Sequence, residues 1–310
     1  MTTLARDLGL EIIYGKRLVR RGNEWDGGGG GGGTDSFAEW SLDISLFSDC
    51  LSAYVNGDNS DIVATDTMKN TVYVKAKECV EAISMEEFAI ELGRHFTSFY
   101  KQVTAATIKI VEKPWERLYV DGQPHKHGFK LGSERHTTEV MVKKSGAVCV
   151  TSGIEGLALL KTTKSGFEGF IRDNYTALPE TRERMLATEV SASWRYSFGH
   201  LSSIVKRLHF NETYQNVKKV LVSTFFGSPH RGVYSPSVQY TLYDMARAVL
   251  KRFPDIESIH LRMPNIHFLP VNIRSKDNHS IVEFKDDVYL PTDEPHGTIE
   301  ASLSRFRSRM

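Results

Sequence analysis

The chain of 310 residues has little cysteine, no surplus of either charge and no long apolar run. Its cysteines, Cys50, Cys79 and Cys149, are scattered and form no CxxC pair. That excludes a disulfide framework and a zinc ribbon, and it fits buried thiols in a reducing interior. Lys and Arg number 39 against 38 Asp and Glu, a formal net charge of +1. This balance gives no electrostatic case for nucleic acid as the main partner. No stretch approaches the ~18–20 apolar residues of a membrane span, so no membrane association is expected. The start carries Arg6 and Asp7 and lacks an apolar signal core, so export is not expected either.

What is present is ordinary for a soluble globular protein: 40% hydrophobic and 25% charged residues. At roughly 150 residues per domain, the length suggests two domains. Strand character around Ile12–Val19 leads to a glycine run, Gly27–Gly33. The run lacks the lysine and spacing of a phosphate loop and is expected to be a mobile hairpin tip. Trp40, Leu42, Ile44 and Leu46 then alternate with polar residues, the period of a half-buried strand. Val72, Val74 and Ala76 alternate again.

Ser84 and Glu87 form a capping box that opens a helix with Phe88, Leu92, Phe96 and Phe99 on one stripe. Strand patterns return at residues 107–111, 117–120 and 137–142. A Lys144-Ser145-Gly146 turn precedes another at 147–151. The second half repeats this order. A strand at 189–196 and a helix at 212–226 lead to a Gly/Ser/Pro loop, 227–237. A helix follows with Ser235 and Pro236 as start signals and Val238, Leu242, Met245, Val249 and Phe253 as its stripe. A strand then carries Ile259, Leu261 and Met263. Grouped strands and helices predict α+β with antiparallel sheets, and the repeated order suggests duplication.

Several polar clusters stand out. Ile62–Ala64 runs directly into Thr65-Asp66, where either residue could cap a helix. Asn265 and His267 would share a face if the preceding strand continues, forming either a polar site or a structural pair. His125 and His127 could be two ligands of a copper or zinc site, or hydrogen-bonded loop histidines. Lys16 lies in a strand pattern, either solvated or a base of lowered pKa beside a hydroxyl.

Taken in order, Tyr14-Gly-Lys16, Ile62–Thr71, Asp121–His127, Phe167–Asp173, Leu178–Arg184, Ser237-Val-Gln239 and Pro264–His267 resemble the urate oxidase (uricase) family, the plant type in particular. The resemblance runs from about Tyr14 to the C-terminus, with the glycine run as a departure. It implies two tandem tunnelling-fold units of ββααββ order and antiparallel sheet, four chains closing into a barrel. The expected division is a tail at 1–10, unit 1 at 11–143 with a glycine-rich loop at 26–35, unit 2 at 144–295 and a tail at 296–310.

The implied reaction is oxidation of urate by O2 and water to 5-hydroxyisourate and H2O2, in purine degradation and ureide formation. No cofactor and no metal are implied. By motif, Lys16 and Thr65 form a catalytic dyad and His267 is the third proton-handling member. Arg184 and Gln239 grip urate, Phe167 stacks on its ring, and Asn265 holds O2 or water above it. Asp66, Leu178 and Val238 line the pocket. The resemblance implies a homotetramer, with Lys16, Thr65 and Asp66 reaching the site from one protomer and the rest from its neighbour. Ser308-Arg309-Met310 is similar to a peroxisomal address, implying an import receptor as partner and the peroxisome as location. Two alternatives share these residues: a tunnelling-fold enzyme acting on pterins or other purines, and a purine-binding protein without catalysis.

Overall fold

The computed structural model describes residues 11–23, 35–79, 83–197, 199–201, 209–273, 285, 287–292 and 296–305; for 11–23, 35 and 36 only the backbone is described. The glycine run and the last three residues lie outside them. The chain divides into two compact units: Met1–Glu155 with Ser193–Gln215 and Asp255–Glu257, and Gly156–Ala192 with Asn216–Pro254 and Ser258–Met310.

In the first unit, β1 (Glu11–Asn23) and β2 (Asp35–Ser48) form an antiparallel hairpin. Next come α1 (Leu51–Val55), α2 (Thr65–Glu78) and α3 (Met85–Phe99). Then follow β3 (Val103–Glu112), the hairpin β4 (Trp115–Val120) and β5 (Gln123–Leu131), β6 (Arg135–Lys143) and β7 (Val148–Lys161). The sheet runs β1-β2-β3-β6-β7, antiparallel at each of these joins. Burial drives it: Trp40, Leu42, Ile44 and Leu46 of β2 all face the core, as their alternation predicts. Helix α3 packs on β3 and β6. It approaches so closely that a Cβ on Gly93 would stand 2.5 Å from Val142. Both bonds of its capping box form. Phe88, Leu92 and Phe96 are buried, whereas Phe99, the last of the stripe, is 69% exposed.

The alternation of Val72, Val74 and Ala76 is not a strand. These residues lie in α2, which buries only Met68 and Val72 and leaves Val74 facing outward. A helix with so narrow an apolar stripe leaves β-branched residues free to mimic period two by chance.

The second unit takes the far part of β7, most of β8 (Leu186–Tyr196), then α4 (Phe210–Phe226), α5 (Val238–Arg252) and β9 (Ile256–Pro264). It ends with the pair β10 (His267–Pro270) and β11 (Tyr289–Thr292) and with β12 (Thr298–Ser304). Its sheet runs β7-β8-β9-β12, and α5 packs on β12. Val238, Leu242, Met245 and Val249 are buried as predicted. The cap is Ser237, whose hydroxyl accepts the Tyr240 N–H at 3.1 Å. Ser235, expected among the start signals, is buried and engaged elsewhere.

Candidate active site

The second unit gathers Phe167, Arg184 and His267. Phe167 follows the end of β7 and is fixed by two backbone bonds with Thr181, 2.7 and 3.1 Å. Its ring is stacked on Phe170, 4.8 Å between centres and 9° from parallel. Arg184 comes from the segment entering β8. Its N–H donates to the Ser165 carbonyl at 2.8 Å. Its guanidinium carbon stands 5.6 Å from the centre of the Phe167 ring. The Nε atom is buried with no hydrogen-bond partner.

Burial lowers the pKa of Arg184, and only the Tyr234 phenol pulls the other way. A half-buried guanidinium of this kind is stabilised when something negative meets its forked donors. His267 opens β10. Its pKa is lowered first by burial, then by the Arg184 charge and by His296. Each of these favours the neutral imidazole, the form that can accept a proton.

Asn265 lies between β9 and β10, and its N–H donates to the Gly297 carbonyl at 2.8 Å. Strand β9 ends at Pro264, so the continuous alternation that would align Asn265 with His267 does not extend through both. Gln239 is exposed in the first turn of α5. Val238 beside it is 2% exposed. What Val238 can offer a ligand is its backbone N–H, which a helix leaves without an intrahelical partner. Leu178 is 54% exposed, on a loop that also leaves the side chains of Ile171 and Tyr175 bare.

The first unit holds the remaining candidates. Lys16 is in β1, in register with Leu42. Thr65 is the first residue of α2, exposed, and caps nothing: the cap position is Ala64, with no side-chain bond. Its hydroxyl is thus not consumed by the helix start. Asp66 accepts from Lys69 and from Asn70. His125 and His127 are exposed on β5, and the His127 N–H donates to His125 Nδ1 at 3.2 Å. Among the described residues no three His, Cys, Asp or Glu side chains are grouped to hold a metal ion.

An open hollow of about 560 Å³ lies along the loop after α4, on Leu160, Lys164, Phe226, His230 and Arg231. None of the residues named above lines it, and it is not the candidate site. Sequence reading missed Lys161. It continues the buried face of β7 after Leu157 and Leu159, so the period of two itself places an ammonium in the interior.

The fold and the site together define an α+β protein of antiparallel sheet with a half-buried arginine set against an aromatic ring. The comparisons with known proteins narrow that class. A family model described as Uricase matches residues 24–141 and 150–300. The chain is 64% identical over 311 residues to the uricase of Arabidopsis thaliana, covering 100% of both chains. It is 70% identical over 298 residues to uricase-2 isozyme 1 of Canavalia lineata, covering 96% of each. Its structure matches the crystal structure of uricase from Arthrobacter globiformis with a TM-score of 0.81 at 34% identity, covering 97% of this chain and 96% of that one. This chain belongs to the uricase family.

Proposed function

We infer that this protein oxidises urate with O2 and water, giving 5-hydroxyisourate and H2O2. The single observation that supports this reading best is the half-buried Arg184, ion-paired to no carboxylate among the described residues, set against the Phe167 ring and beside His267, whose pKa is lowered. Urate is a flat, electron-rich heterocycle that becomes an anion on losing a proton. A guanidinium offers it two parallel donors, and a phenyl ring offers it a flat apolar floor.

Triplet O2 reacts slowly with closed-shell molecules. A urate anion stripped of a further proton can pass it one electron directly. The protein then has to bind, orient and deprotonate. Arg184 and Gln239 bind the purine edge, and Phe167 holds the ring flat. Asn265 holds O2 or water over the ring. Thr65, with Lys16 behind it, relays the proton, and His267 takes or returns it near neutrality. Asp66, Leu178 and Val238 complete the wall.

The same reading assigns Lys16, Thr65 and Asp66 to one protomer and the remaining residues to its neighbour in a homotetramer. The bare hydrophobic side chains of Ile171, Tyr175 and Leu178 support a covering partner surface. Ser308-Arg309-Met310 would direct the chain through an import receptor to the peroxisome, where H2O2 is handled. The reaction is tested by following the ultraviolet band of urate and the release of peroxide. The expected result is loss of the band with one peroxide per urate. A tetramer that leaves urate untouched would overturn the reading.

A further inference from the structure

Lys161 ends β7 with its side chain buried, 8% exposed. Its ammonium donates to the Phe225 carbonyl at 3.3 Å, the Val233 carbonyl at 3.1 Å and the Ser235 hydroxyl at 2.5 Å. Three tetrahedral donors thus meet three acceptors. The charge rests on dipoles and on the face of Phe225, 5.1 Å away, and no carboxylate contributes to its pKa. Burial alone pushes that pKa down to about 8. A buried charge of this kind costs stability, and an apolar side chain of equal volume would usually serve packing better. Its presence calls for a role beyond packing.

The acceptors indicate that role. Phe225 is at the end of α4 and Val233 is at the far side of the loop that leads to α5. One ammonium clasps both ends of that loop. Its third acceptor, Ser235, also receives the Thr241 hydroxyl at 2.7 Å. The backbone of Ser235 is zipped to the segment after β7: the Gly166 N–H donates to its carbonyl at 3.0 Å, and its N–H donates to Lys164 at 2.8 Å. The neighbouring Ser165 carbonyl holds the Arg184 N–H. On one side of this seam the chain goes on to Phe167, and on the other to Ser237, Val238 and Gln239.

We propose that Lys161 is a positioning residue for the purine site: it holds the start of α5, which carries Gln239, in register with the segment that carries Phe167 and Arg184. This rests on the substrate reading given above. Lys161 touches no substrate and acts through Ser235.

The test uses the full chain and two probes: urate for turnover, and xanthine, a purine-dione that lacks the 8-oxo group, for binding alone. Lys161→Met keeps the stem and removes the ammonium. It should raise the xanthine Kd and the urate KM by roughly ten-fold, the scale of one charge-assisted hydrogen bond, with a smaller change in kcat. In a Gln239→Ala background the same change should add little further, because the side chain that Lys161 positions is already gone. A packing role alone predicts independent, multiplying effects, and that outcome would overturn the proposal. If Lys161→Met does not fold, Ser235→Ala removes one acceptor more gently and should show the same failure to multiply with Gln239→Ala. Unchanged xanthine affinity in a folded variant overturns the role of Lys161. A wild-type chain that neither binds xanthine nor oxidises urate overturns the substrate reading beneath it.

Discussion

The guanidinium carbon of Arg184 and the centre of the Phe167 ring are 5.6 Å apart, each residue held by backbone bonds to the other's segment. The pairing leaves one edge of the cation without a protein partner, since Nε is buried and unbonded. A side chain so placed gains most from a planar anion that completes its donors and lies against the ring.

Replacing Arg184 by Ala should therefore weaken binding of xanthine and urate by about two orders of magnitude, the scale of a charge-assisted bidentate contact. Arg184→Lys should recover little of it, because an ammonium lacks the fork. Titration calorimetry with xanthine checks both, and an unchanged Kd in either variant would contradict the assignment.

Thr65→Ala should lower kcat by about a hundred-fold, the usual weight of a proton-transfer group, and leave KM nearly unchanged. Its melting temperature should stay close to that of the wild type. The exposed hydroxyl caps no helix, so little folded structure depends on it. A large loss of stability would mean that the hydroxyl has a structural duty instead.

The acid limb of kcat/KM should report His267. Burial and the Arg184 charge lower its pKa from the ordinary 6.5, so the proton-accepting neutral form persists on the acid side of that value. The midpoint of the fall in activity, as the imidazole becomes charged, should lie on the acid side of 6.5. The linked stability has the same sign. A lowered pKa means the folded state binds this proton less tightly than the unfolded state, so this contribution is intact above the unfolded pKa and is lost as the pH falls through the folded one. His267→Gln should remove the limb, and a profile identical to the wild type would count against its role.

Gly166→Ala tests the seam between Ser165 and Ser235. A Cβ there would stand 2.1 Å from the Tyr234 hydroxyl and 2.8 Å from the Thr181 carbonyl. The hydroxyl can swing away, but the backbone carbonyl that helps to fix Phe167 cannot move freely. The variant should lose about 1–3 kcal/mol by overpacking and bind xanthine less tightly. Wild-type affinity and denaturation midpoint together would show that the seam does not position the site.

Much of the fold was legible because burial imposes its own period. Trp40 to Leu46 alternate, and Ser84 with Glu87 write a capping box into four residues. Helix α2 was not, because two buried residues do not distinguish a helix from a strand. The start of α5 was placed two residues early, since Ser235 and Ser237 look alike in sequence and only Ser237 caps. The site is carried by segments without period. Phe167 and Arg184 lie on loops or strand ends, so chemistry alone could not separate them from core or surface, and only the family resemblance singled them out; Asn265 stood out beside His267, but as a site or a structural pair alike. Lys161 was legible in principle, as a charge in phase with Leu157 and Leu159.

The central claim is tested most directly by oxidising urate with the purified protein after exhaustive chelation, with oxygen uptake, peroxide and the urate band recorded together. The account predicts undiminished turnover, with one O2 consumed and one H2O2 released per urate, and loss of binding in Arg184→Ala. Turnover that disappears on chelation and returns with added metal, or that persists at full affinity without Arg184, would contradict it.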